Sequence, residues 1–356
     1  MSLRSLLQKE FHWSKHNVAA LLFILLVLPS FFAYTSVAFE TVIPRDAPMA
    51  VVAENDEVTE NDMTIVEGSV TAFSDPVIVD SEQQATRMLR REAVYSVLVV
   101  PPNITDANNT NATFTYTVDG SIVPYKEPSK ALRNVMAFQF DSLLNADITV
   151  DRQVLTPDNT LSEYLIPVFL MAILMLFAFT YVPYNLAQEA EVLDRLRAES
   201  SLEAVVGAKL IYFTTLMLVP ILVFQGAAGV LDYASNALAP GAILALLLTF
   251  VILAALSMAV MVLFRFGTMG RFVNVILLIA VVGFSGLAYP VGYFSTLRKT
   301  VVRLFPTHYA MIVTRSSMLK NLDLSLFTDW VVGLVAVALV ALVALKASSV
   351  YYRRTS

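Results

Sequence analysis

The chain has 356 residues, of which 57% are hydrophobic and only 15% charged, well below the roughly 25% charged residues of soluble domains. With no cysteine and three scattered histidines (His12, His16, His308), it offers no disulfide, no thiolate chemistry and no recognisable metal centre. The net charge of −5 is unevenly divided: residues 40–160 hold 19 acids against 8 bases, while the rest holds 10 against 16, so the acidic block reads as a separate body facing another compartment than most of the basic ends.

In chain order, the first 17 residues place Leu3, Leu6, Leu7 and Phe11 on one helical face, with Trp13 near a membrane boundary, which predicts an interfacial anchor helix. Arg4, Lys9 and Lys15 against Glu10 keep this end cytoplasmic by the positive-inside rule. An apolar run follows at 18–39. Ser36-Val37-Ala38 has the form of a cleavage site, but a run of this length favours a retained anchor over a signal peptide.

Residues 40–160 predict a mixed α/β domain outside the cytoplasm. Strand character is found at 49–53, 77–79 and 94–100, the last ending at Pro101-Pro102. Residues 81–91 have helical composition, giving a βαβ unit over 77–100. Residues 112–118 alternate as a half-buried strand, and 128–144 read as a helix leading back to the membrane. Sequons begin at Asn103, Asn108 and Asn111, which an Asn/Thr-rich loop also produces by chance.

Five further apolar stretches, at 164–184, 210–231, 241–264, 272–294 and 330–349, bring the expectation to six transmembrane helices. An even count returns the C-terminus, with Lys346, Arg353 and Arg354, to the cytoplasm. The connection 295–328 is then outside, although it carries Arg298, Lys299, Arg303, Arg315 and Lys320, against the charge rule. Within it, Pro306 starts a short helix near 306–320 that is too short to span and is expected to be buried against other helices. His308 is read there as a hydrogen-bonded interface residue rather than a proton relay, because no intramembrane acid is available to pair with it.

The connection 185–209 places Leu186, Ala190, Leu193 and Leu196 at helical spacing. Its acids Glu189, Glu191, Asp194, Glu199 and Glu203 outnumber Arg195 and Arg197, a balance that anionic lipid would repel. A helix at 186–203 that docks a cytoplasmic protein fits better than one lying on lipid. Glu163, Lys209, Asp232, Asp329 and Lys346 all fall near helix ends, and Gln225 and Asn274 are the strongest polar groups within spans. Ion-coupled carriers usually keep charges inside their helices, so this pattern disfavours one. The sequence has no GxxxxGK[S/T] phosphate loop, so ATP hydrolysis would have to occur on another polypeptide.

The order of these parts resembles the type-2 ABC exporter permeases, in the branch with a large extracytoplasmic domain after the first span. The resemblance rests on "MAVVAENDE" as an opening strand and on "VIVDSEQQATRMLRREAVYSVLVVPPNIT" as strand–helix–strand with a proline-marked turn. It rests also on "QEAEVLDRLRAESSLEAVVGAKLIYF" as an acidic coupling helix followed by Gly207 and Lys209, and on "FPTHYAMIVTR" as the Pro-led outer helix. The strongly acidic outer domain and the many bases after Tyr293 depart from that pattern and leave the substrate open.

The resemblance implies a multi-pass cell-membrane protein that is not itself an enzyme and binds no cofactor or nucleic acid. Both termini and the coupling helix 186–203 would be cytoplasmic, with residues 40–160 outside. The chain would pair with a second permease subunit, identical or different, and with an ABC ATPase subunit that binds the ATP. The residues implied in coupling are Glu189, Leu193, Asp194, Leu196, Arg197, Glu199, Gly207 and Lys209, and those in the outer helix are Pro306, His308 and Arg315. The alternative is a membrane-anchored receptor or assembly factor that binds a partner through its outer domain and transports nothing.

Overall fold

The computed structural model describes residues 47–106, 111–144, 146–189, 201–287, 289–294 and 296–355; the expected interfacial helix 1–17 and first span 18–39 lie outside them. Strand β1 (Pro48–Ala53) buries Met49 to Val52 without a break. Such a run belongs to a central strand covered on both faces. Helix α1 (Glu60–Val70) starts from a capping box: Thr59 accepts from the Asp62 N–H, and the Asp62 carboxylate accepts from the Thr59 N–H. Next come β2 (Asp75–Ile78), α2 (Glu82–Arg90), capped by Ser81, and β3 (Ser96–Val100). The domain closes with β4 (Asn111–Val118), α3 (Lys126–Leu143) and β5 (Asp147–Val154).

The sheet order is β2-β1-β3-β4-β5, parallel except for the antiparallel β3–β4 pair. Side chains of β1 alternate between two cores. Met49 and Val51 face α1 and α3, beside Val66, Leu132 and Phe140. Ala50 and Val52 face α2, beside Ala85 and Leu89. The domain is therefore a sheet with helices on both faces.

Two sequence expectations need correction here, and one element was missed. The strands of the expected βαβ unit are not neighbours, because β1 lies between β2 and β3 and pairs with both. The helix expected to lead back to the membrane is followed instead by β5, in which exposed Asp147, Thr149 and Asp151 alternate with buried Ile148 and Val150. Helix α1 was not anticipated, because its few apolar residues sit among acids.

The remaining chain is helical. α4 (Leu161–Leu176), again opened by a capping box (Thr160 with Glu163), contains Pro167 and runs through a π-turn at Phe177–Tyr181 into α5 (Val182–Glu189). Then come α6 (Leu202–Leu216), α7 (Leu218–Val230), α8 (Pro240–Leu263) and α9 (Thr268–Phe284). Last are α10 (Thr296–Val302), α11 (Pro306–Lys320) and α12 (Thr328–Thr355).

Among the described residues, four continuous helical segments are long and apolar enough to cross a membrane: Leu161–Gln188, Leu202–Val230, Pro240–Leu263 and Leu324–Thr355. α9 is a shorter apolar helix of 17 residues, about 26 Å at 1.5 Å per residue. It stops before the expected boundary at 294 because Gly286 turns the chain with φ +62° and Pro290 leads into a 3-10 turn at Val291–Tyr293. Of the six expected spans, the first lies outside the described residues; among the described residues four candidate spans and one short apolar helix are found.

α8 is the hub. It is apolar on all sides, and it packs against α12 and α11 as well as α6 and α9. Gly241 lets its first turn meet α11, since a Cβ there would run into Ser317. α12 buries only a narrow stripe, Leu334, Ala338, Ala341 and Leu345, and leaves Val335, Leu339, Val340 and Val343 exposed, as expected of a helix facing lipid or another subunit.

Candidate functional site

Two polar seams stand out against this apolar frame, one at each end of the helical bundle. The first joins the α/β domain to the bundle. α2 ends at Arg90, and Glu92 takes the left-handed conformation (φ +55°) as the chain turns toward β3. Its carboxylate meets Arg315 of α11 at 3.0 Å and Lys320 of α11 at 3.7 Å. Lys320 also lies 2.5 Å from Asp119, at the end of β4. All four side chains are at most 3% exposed. Two acids from the domain thus face two bases from one helix, and the cluster is neutral as a whole.

Hydrogen bonds support it, although Glu92 Oε1, Asp119 Oδ2 and Arg315 Nε remain buried without one among the described residues. Arg315 donates to the Leu287 carbonyl at 3.3 Å, and the hydroxyls of Ser121 and Thr156 both donate to Asp119 at 2.6 Å. Burial would push the Asp119 carboxyl upward, but Lys320 and these two hydroxyls outweigh it and hold the group below the usual carboxylate range. A buried ion pair adds little stability over an apolar replacement, yet losing one partner costs about 3–5 kcal/mol.

Around it the contact is continuous. The Tyr95 hydroxyl accepts from the Gly292 N–H at 3.0 Å, and the Tyr95 ring occupies the space where a Cβ on residue 292 would be. Tyr293 donates to the Pro124 carbonyl at 2.8 Å. Arg91 lies 2.6 Å from Asp329 at the start of α12 and stacks over the Trp330 ring at 4.4 Å. The bases that opposed the charge rule in 295–328 are therefore partly countercharges for the acidic domain. Arg298, too, is engaged, with the Gly283 carbonyl at 3.1 Å and the Phe294 ring.

The sequence-predicted outer-helix residues all lie on α11. Pro306 occupies its first turn, and Arg315 is at the heart of the seam. His308 is buried as expected, but it packs edge-on against the Tyr309 ring in place of the expected hydrogen bond. Sequence reasoning missed Glu92, Asp119, Tyr95 and Gly292. The available signal was the complementarity between an acidic domain and a basic connection.

The second seam lies at the opposite end of the bundle. α5 ends at Glu189, and α6 resumes at Leu202, capped by Ser201. Leu193, Asp194, Leu196, Arg197 and Glu199 lie outside the described residues. Gly207 sits on α6 with open space beside it. Lys209 donates to the Asn185 side chain, joining α6 to α5, and its ammonium lies 5.8 Å from the Phe213 ring centre. Glu203, in the first turn of α6, reaches Arg353 near the end of α12 at 2.7 Å.

A family model described as "ABC-2 family transporter protein" matches residues 18–346, nearly the whole chain. The chain belongs to the ABC-2 transporter family. No curated protein and no solved structure matches it. The family and the four apolar helices make it a multi-pass membrane protein and a transporter permease rather than an enzyme. In an ABC-2 permease the motor is generally a separate ABC ATPase, so the two seams acquire a meaning. α12, 28 residues and about 42 Å long, touches both: Arg353 meets α6 at one end, and Asp329 meets the α/β domain at the other.

Proposed function

We propose that this chain is the membrane subunit of an ATP-driven exporter, working in a pair with a second permease and with ABC ATPase subunits docked at the 186–203 segment. In this reading the α/β domain is extracytoplasmic, both termini are cytoplasmic, and ATP is bound and hydrolysed by the partner. The observation that carries it is the path between the seams. Movement at 186–203 would reach α6 directly, pass to α12 through Glu203 and Arg353 and to α5 through Lys209 and Asn185, and cross the packed hub α8 to α11.

The weight of the ties differs. Glu203–Arg353 and Arg91–Asp329 are partly exposed and contribute about 0–1 kcal/mol each. The buried α11 cluster is the firm joint, so α8 and α11 carry motion to the domain better than the ends of α12 do. No step requires covalent chemistry from this chain. Conformational work done by the partner reshapes a cavity between paired permeases.

The test replaces Leu193 and Leu196 with Asp, on the apolar side of the predicted docking helix, where they would seat in a groove of the ATPase. The reading predicts normal membrane insertion, weakened ATPase assembly, and hydrolysis uncoupled from export. A double variant that binds its ATPase and exports normally would refute the docking role. The receptor alternative would be favoured if the intact chain assembled with no nucleotide-hydrolysing subunit.

A further inference from the structure

Beneath the α/β domain lies a cleft of about 370 Å³ that the seam leaves open. Its basic lining comes from Lys299, Arg303 and Arg91, the last shared with the exposed Asp329 at 2.6 Å, with His308 beside them; of its two acids, Glu92 is committed to Arg315 and Lys320, and only Asp75 is exposed. Tyr309 and Trp330 form one wall. The same two rings also line a second groove of about 290 Å³, headed by Asp329, the partner of Arg91, and apolar below it, that runs down α12 past Gly333, Leu334 and Val337, with Leu304 opposite. Trp330, Leu334 and Val337 recur at helical spacing, so the groove follows one face of α12 for about 10 Å into the span. Nothing lies within 4 Å of the space a Cβ on Gly333 would take, which keeps the groove open.

A basic cleft at the rim of a span, joined through two aromatic rings to an apolar slot along that span, has the shape of an amphiphile. Tyr and Trp occupy the headgroup level of membranes, and lysine and arginine there attract anionic lipid. We propose that the cleft and groove together bind a phospholipid with an anionic headgroup, taken laterally from the leaflet on the domain side, its phosphate among Arg91, Lys299 and Arg303 and one acyl chain along Trp330, Leu334 and Val337. The lipid would sit on the wall shared by α11, α12 and the domain, and so would brace the seam. This site requires no ATPase and stands apart from the transport reading.

The test uses the full chain with Trp13→Phe, so that Trp330 is the only tryptophan. The protein is reconstituted in lipid nanodiscs containing chain-brominated phosphatidylglycerol or chain-brominated phosphatidylcholine, and quenching of Trp330 is measured. Phosphatidylglycerol should quench at a lower mole fraction, and Lys299→Gln with Arg303→Gln should shift that midpoint by roughly fivefold per base removed. Gly333→Leu, whose Cβ meets nothing within 4 Å and whose side chain would occupy the groove, should reduce quenching by phosphatidylglycerol while leaving the fold, followed by circular dichroism, intact. Equal quenching by the two lipids, a preference that survives both sets of substitutions, or complete displacement by free glycerol phosphate would overturn the proposal, the last by showing a site for the anion alone.

Discussion

Arg315→Met tests the joint between the domain and the bundle, because it strips one charge from a neutral buried cluster. Glu92 and Asp119 would then share Lys320, at 3.7 and 2.5 Å, and the Leu287 carbonyl would lose its donor. One unbalanced negative charge would remain where every side chain is nearly inaccessible. Breaking a buried pair costs about 3–5 kcal/mol, and the lower end applies here because Lys320 remains. About 3 kcal/mol corresponds to roughly a hundredfold in an opening equilibrium. Amide hydrogen exchange reads this directly: protection around residues 92–95 and 291–293 should fall about a hundredfold, while the sheet core at β1 and β3 keeps its protection. Adding Glu92→Gln restores balance, since Asp119 and Lys320 remain as a pair, and should recover most of the loss. Protection unchanged within a few-fold in the single variant, or a double variant as deprotected as the single, would refute the argument.

Three further outcomes are expected. Gly292→Ala places a methyl against the Tyr95 ring and should lower stability by about 1–3 kcal/mol, and Tyr95→Ala in the same chain should make the combined loss less than additive, measured by thermal unfolding in detergent. Because the Asp119 carboxyl is held below its ordinary range, its contribution is complete at neutral pH and fades as pH falls below the usual value near 3.8; Trp330 emission, which reports on the Arg91 contact, should change in that acid window in the Trp13→Phe chain and stay constant from pH 6 to 8. Lys209→Met removes the Asn185 bond and should loosen α5 from α6 by about 1 kcal/mol without affecting exchange at the domain seam.

The membrane helices were legible because apolar length is a one-dimensional signal: α4 to α8 and α12 fall where hydropathy places them. The end of α9 was not legible, because Gly286 and Pro290 stop the helix while the residues around them stay apolar. In the domain, β1, β3 and β4 were legible from β-branched runs and from the alternation of buried Ala112, Phe114, Tyr116 and Val118. The sheet order was not, because pairing β1 between β2 and β3 is a long-range choice with no local signature. The seam was half visible. Arg315 was singled out and Lys320 noted as misplaced by charge, but their partners Glu92 and Asp119 lie more than 200 residues away in sequence and belong to a domain rich in acids.

The central claim is that this ABC-2 permease takes its power from an ATPase docked at 186–203. A photo-crosslinking amino acid at Leu193, introduced into the full chain in its native membrane, tests it most directly. The account predicts a crosslink to a polypeptide whose sequence carries the GxxxxGK[S/T] phosphate loop, lost when Leu196 is changed to Asp. Crosslinks to lipid alone, from a chain that is fully inserted and folded, would contradict it.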